Sequence, residues 1–162
     1  MELERYTLAM GRILVNFHAL EVALRHFFKG YEARLAPPSP AVPDKPMHVG
    51  QVVPLETYSA YDSLNGLIKS YNAVVVKSHA QFVLEATLVE LRDALAHGRV
   101  WGTEPPLQLL KFSKPTKGGA GVTVLQADTM DETWLEAQNT RVLRETAKVF
   151  KAGKQLQPTH WK

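Results

Sequence analysis

The stretch Leu3–Tyr31, LERYTLAMGRILVNFHALEVALRHFFKGY, decides the fold. Within it Tyr6, Met10, Ile13, Phe17, Leu20, Leu24, Phe27 and Tyr31 recur at alternating intervals of four and three. An α-helix turns by about 100° per residue, so this interval gathers them on one stripe, the pattern of a long helix packed nearly parallel to its neighbours. Such a stripe suits a bundle core and a dimer seam equally. A helix stop is expected at Gly30 and the prolines beyond it.

Working outward, five of the ten residues from Pro37 to Pro46 are proline. Proline locks φ and donates no amide hydrogen, which excludes a regular helix or a central strand there. A surface loop over 36–56 is the expectation, with a proline-rich recognition segment as the sharper alternative. A second helix is expected over Thr57–Val75, where Tyr61, Leu64, Ile68, Tyr71 and Val75 repeat the helical spacing. Gly66 costs that helix about 1 kcal/mol relative to alanine, so packing must support it. The run Val74-Val75-Val76 would also suit a short strand. A third helix is expected from Ser78, which has capping-box spacing with Gln81. Leu84, Leu88, Leu91 and Leu95 form its stripe, Phe82, Ala86 and Val89 widen it, and Gly98 ends it.

The period then changes. Leu107–Phe112 and Val122–Ala127 are strand-like around Lys117-Gly118-Gly119-Ala120-Gly121, so a β-hairpin is expected within about 99–127. Thr129 and Glu132, again at capping-box spacing, open a last helix that runs to about Leu156. Leu135, Val142, Val149 and Leu156 lie on one side of it, and Arg141, Arg144, Lys148 and Lys151 on another. The expected architecture is one mainly α domain over 1–162: an up-and-down bundle of four main helices with a β-hairpin inserted before the last.

Composition narrows the chemistry. A chain of 162 residues with 45% hydrophobic and 22% charged residues is that of a globular domain, not a disordered tail. The absence of cysteine excludes disulfides, thiolate catalysis and cysteine-held metal clusters. The six histidines show no HExxH or comparable pairing, so neither a metal nor a cofactor is expected. Glu2 and Glu4 stand where a secretory signal would carry bases, and no run of about 18 apolar residues is free of charge. A soluble, cytoplasmic protein without a membrane segment is the expectation.

Candidate chemistry concentrates in Leu91-Arg92-Asp93-Ala94-Leu95-Ala96-His97-Gly98. Asp93 and His97 are one helical turn apart, so the carboxylate can accept from the imidazole, fix its tautomer and favour the imidazolium. Arg92 and His97 are about 140° apart on an ideal helix. They converge only through the length of arginine and the helix end, or through a second copy of the chain. A guanidinium beside a titratable imidazole suits a phosphodiester: one stabilises developing charge, the other moves protons. The plainer alternative is a solvated helix end, with His97 as a cap favourable to the helix dipole.

Arg92, a polar residue after it, three further residues and His97 resemble the motif of HEPN domains, small helical bundles found in many prokaryotic toxins and antiviral systems. The continuation through Gly98 and Trp101 into a hairpin and a last helix is similar to bacterial members. Phe17-His18-Ala19-Leu20-Glu21-Val22-Ala23-Leu24-Arg25 resembles the first helix of that bundle. The resemblance implies a metal-independent endoribonuclease that leaves 2′,3′-cyclic phosphate and 5′-hydroxyl ends, in a toxin–antitoxin or phage-defence setting. Glu21, central on the first helix, is either a partner that positions Arg92 or an ordinary surface acid; the resemblance implies His97 as general base or acid, Arg92 as oxyanion stabiliser and Asp93 as orienter. It also implies a homodimer with the cleft between protomers, and leaves room for a protein antitoxin. Arg99, Trp101, Arg141, Arg144 and Lys148 are the candidate RNA contacts; the plainer readings are a core or hairpin anchor for Trp101 and a solvated face for the cations of the last helix. The rival expectation is a non-catalytic helical module that dimerises or docks a partner. Charge favours the RNA side of this choice: Arg92–Lys162 holds 11 basic and 7 acidic residues, a net of +4, whereas Met1–Leu91 holds 8 and 9, a net of −1.

Overall fold

Four helices carry most of the fold: α1 (Leu3–Leu35), α2 (Leu64–Val75), α3 (Thr87–His97) and α4 (Glu132–Leu156). Between α3 and α4 lie β1 (Arg99–Trp101), β2 (Leu107–Phe112) and β3 (Val124–Met130), an antiparallel sheet in the order β1-β2-β3. This computed structural model describes residues 2–35, 49, 52, 60–115, 119 and 121–156. The proline-rich stretch, apart from residues 49 and 52, lies outside the described residues, as do 57–59 and most of the glycine-rich connection. The chain divides into two compact units, Met1–Ala19 with Glu85–Glu145 and Leu20–Leu84 with Thr146–Lys162.

The stripe of α1 is buried as its spacing requires: Tyr6, Ile13, Phe17, Leu20, Leu24 and Phe27 all lie in the interior. The helix runs five residues past Gly30, to Leu35. A single glycine weakens a helix without stopping it, whereas the prolines from Pro37 onward cannot continue one. Leu3–Tyr31 is also long and apolar enough, by length and composition alone, to cross a membrane. Core helices meet that criterion too, and the large apolar residues of this stripe are inside the protein.

In the second unit, α2 starts at Leu64 and not at Thr57. Ser63 caps it, its hydroxyl accepting from the Gly66 amide at 3.2 Å. Arg25 donates to the carbonyls of Ala60 (3.0 Å) and Asp62 (3.1 Å), holding the chain outside the helix just before that cap. Tyr61 is therefore fully exposed and not part of the buried stripe. Leu64, Leu67, Ile68, Tyr71 and Val75 are buried, and Tyr71 meets Phe27 edge to face at 4.8 Å. Val74 and Val75 are helical. The third helix is also delayed. Ser78 bonds to His79, only Ala80–Phe82 form a 3-10 turn, and Asn72 takes both backbone groups of Leu84 (2.8 and 2.9 Å). With those groups satisfied by a side chain, α3 begins at Thr87.

In the first unit, β2 occupies the expected residues and closes against β3 through Ser113, whose amide donates to the Thr123 carbonyl at 2.9 Å. The sheet has a third strand, β1, that the spacing rules pass over because Arg99–Trp101 is too short to show alternation. Thr129 lies in β3, so the cap of α4 is Asp131, whose carboxylate accepts from the Trp134 amide at 2.8 Å. Leu109 and Met130 put one face of the sheet into the interior. There the Tyr6 hydroxyl donates to the Met130 sulfur at 3.4 Å, and burial pushes the Tyr6 phenol above its ordinary value.

Two predictions test this scaffold. A Cβ at Gly98 would stand 2.1 Å from the Ala94 carbonyl oxygen and 3.0 Å from that of Leu110. Gly98→Ala is therefore expected to lower unfolding free energy by about 1–3 kcal/mol in urea titrations; an unchanged midpoint would mean that the α3–β1 junction relaxes without cost. The raised Tyr6 value means that the unfolded chain loses this proton first as pH climbs past the ordinary value of 10.0. Its contribution is complete below that pH and fades above it. Tyr6→Phe should flatten the alkaline loss of stability, and equal alkaline limbs for the two proteins would contradict this.

Candidate functional site at the α3–β1 junction

Burial of Leu88, Leu91 and Ala94 fixes which side of α3 faces the interior. That orientation leaves Arg92 and Asp93 half-buried and His97 exposed in the last turn. The Gly98 amide closes the helix on Ala94 at 2.7 Å, and the chain passes at once into β1. Arg99 and Trp101 follow on this strand, both exposed. An imidazole, a guanidinium and an indole thus stand within five residues at one exposed corner.

The contacts among these groups differ from those expected. Asp93 does not accept from His97; it accepts from the Arg92 Nη1 at 3.1 Å. Both side chains are about two-fifths exposed, at 39% and 43%, so this pair adds little stability. What it does is neutralise and orient the guanidinium. Among the described residues His97 has no hydrogen bond or ion pair, which leaves both ring nitrogens open to solvent or ligand. Glu21, the residue expected to position Arg92, belongs to the second unit. There it accepts from Arg25 one turn along α1, at 3.2 Å from Nε and 2.9 Å from Nη2. Arg25 is buried, and this carboxylate with the Ala60 and Asp62 carbonyls satisfies it.

The basic side of α4 is not a free cationic track. Arg141 donates from Nε to Glu85 at 2.8 Å and also reaches the Thr87 hydroxyl. Arg144 pairs with Glu85 and, through Nε at 3.1 Å, with Glu145. The hydrogen bond to Glu145 holds the Arg144 guanidinium above its ordinary value, against a smaller opposing effect of desolvation. In the second unit Lys148 donates to the Val83 carbonyl at 3.1 Å. Glu145 itself is completely withdrawn from solvent and accepts the Glu85 amide at 3.1 Å. Its sequence signal was available: Glu145 lies three residues after Val142 and four before Val149, a carboxylate on an otherwise apolar stripe. A charge at such a position needs partners nearby, and Arg144 and the Glu85 amide meet that requirement.

No group of three or more His, Asp or Glu side chains among the described residues is arranged to hold a metal. Nothing among known family models, curated proteins or solved structures matches the chain.

The clasp around Glu145 has a measurable weight. Glu145→Ala strands the Glu85 amide and removes a partner of Arg144, and is expected to cost about 2–4 kcal/mol of unfolding free energy. Glu145→Gln, which keeps the shape and an acceptor, should cost less. Chemical denaturation compares them, and an alanine variant as stable as the parent would show that the buried carboxylate is dispensable.

Proposed function

We propose that the chain is a HEPN-like, metal-independent endoribonuclease. The observation that carries this is His97: an exposed imidazole without a hydrogen bond or ion pair among the described residues, one turn beyond the Arg92–Asp93 pair in the Arg-polar-xxx-His arrangement. In the reaction the ribose 2′-hydroxyl loses its proton to a base and its oxygen attacks the adjacent phosphorus. The bond from phosphorus to the 5′ oxygen then breaks, and that oxygen leaves with a proton from an acid. The products are a 2′,3′-cyclic phosphate and a 5′-hydroxyl. His97 serves as base or acid, and Arg92 offsets the charge that builds on the non-bridging oxygens. Asp93 acts on Arg92, fixing the guanidinium, and not on the imidazole.

Arg92 and His97 lie on different sides of α3, and each chain has one His97 for two proton transfers. A homodimer would answer both needs, setting the arginine of one copy near the imidazole of the other and offering one histidine for each transfer. A cytoplasmic toxin–antitoxin or phage-defence role, with a protein antitoxin as partner, belongs to the same proposal. The rival, a non-catalytic module for dimerisation or partner binding, is favoured by the pairing of Arg92 with Asp93 and of Arg141 and Arg144 with Glu85, which leaves less free positive charge for RNA.

Incubation of mixed RNA in EDTA separates the two. The parent protein should cut and leave cyclic-phosphate ends, and His97→Ala should be slower by about a hundredfold or more. Equal cleavage by both proteins would remove His97 from the mechanism. Absence of cleavage by the parent on every RNA tried would favour the binding module.

A further inference from the structure

The three-stranded sheet has two unlike faces. Register places Val100, Leu109 and Asp128 together, and Leu107 with Met130, on the side that enters the interior. On the other side Trp101, Gln108 and Thr129 form one cross-strand row, and Arg99, Leu110 and Ala127 form the next. Phe112 and Val124 follow beyond the bulge. This outer side is open: Arg99, Gln108, Ala127 and Thr129 are exposed, and Trp101 keeps 67% of its surface in water. It bears a guanidinium and no carboxylate, since Asp128 belongs to the other side, where Gln126 donates to it.

An indole left in water on the edge strand of a polar row is costly for a monomer and useful to a ligand with a flat apolar face. We propose that the outer side of the sheet is a stacking platform for an unpaired nucleic-acid strand, with a base on Trp101. Gln108 on β2 stands next to the indole in that row and can exchange hydrogen bonds with the edge of that base, and Thr129 on β3 lies one strand further on. Arg99 lies two residues back along β1, roughly 6.7 Å away, which suits contact with a neighbouring phosphate. Leu110 and Phe112 extend the apolar floor along β2. Charge on this side is complementary to a polyanion, Arg99 being the charged side chain that the register sets on it. A base pair already stacked inside a duplex cannot lay its face on the indole, so the platform selects single strands. Because Gly98 alone separates His97 from β1, a strand held here passes beside the imidazole. The choice of RNA rests on the ribonuclease proposal, whereas the platform itself rests on the sheet.

The test uses the His97→Ala chain, which spares the probe, with short fluorescein-labelled oligouridylate, oligoadenylate and a duplex, read by anisotropy. Single strands should bind more tightly than the duplex. Trp101→Ala in that background should weaken single-strand binding roughly tenfold or more, and Trp101→Phe should retain most of it. Arg99→Ala should lower the salt slope by about one. Binding indifferent to Trp101→Ala, preference for the duplex, or no binding to any probe would each overturn the platform. So would a change in sedimentation without a change in RNA affinity on Trp101→Ala, since the face would then serve a second copy of the chain. Cleavage that needs His97 but not Trp101 would leave the nuclease standing and remove the platform. Trp101-dependent binding by a parent protein that never cuts would do the reverse.

Discussion

A carboxylate removed from water governs where the candidate site sits. Glu145 takes the amide of Glu85 on one side and the guanidinium of Arg144 on the other. Buried charge tolerates neither loss, because the group left behind keeps its desolvation cost without compensation. The backbone at Glu85 is thereby committed to α4 before α3 begins. The start of α3 in turn sets the phase of the helix, and the phase decides that Leu88, Leu91 and Ala94 go inward while Arg92, Asp93 and His97 remain accessible. The same carboxylate recruits Arg144, and Glu85 recruits Arg141. Cations that a helical wheel would offer to RNA are thus spent on the scaffold.

Periodic features were legible in the residues. The α1 stripe, the span of β2 and the end of α4 follow from spacing alone, because burial repeats with the geometry of the element. Element starts were less so. The starts of α2 and α3 are set by Arg25, Asn72 and Glu145 reaching backbone groups distant in sequence, and no local propensity encodes such reach. Capping-box spacing at Ser78 and Thr129 was present without the cap, since the first residue bonded to His79 and the second entered a strand. At the site, Arg92, Asp93 and His97 were found as a group, but their pairing was not. Adjacent Arg92 and Asp93 bond to each other although ideal helical geometry favours partners three or four residues apart.

The α3–β1 junction joins His97 to the exposed residues of β1 through Gly98 alone. Its compactness depends on Gly98, where a side chain would meet the Ala94 carbonyl. A second glycine, Gly102, turns the chain out of β1 with φ at +126°, a conformation that side-chain-bearing residues rarely adopt. Between these two glycines lie only the residues of β1, so the position of Trp101 relative to His97 is set by backbone geometry with little slack.

The interleaving of the two units has a consequence for biosynthesis. Each unit joins a stretch from early in the chain to one that is translated much later, beginning at Glu85 in one case and at Thr146 in the other. Neither can complete its core on a half-made chain, and contacts that distant in sequence close slowly. The part of the α1 stripe that belongs to the first unit must therefore wait until the chain from Glu85 onward has been made. His97 emerges well before the helix that supplies Glu145 and Arg144. A chain not yet extended to α4 thus carries Arg92, Asp93 and His97 without the scaffold that poses them, and the corner acquires its geometry only once Arg144 and Glu145 have been made.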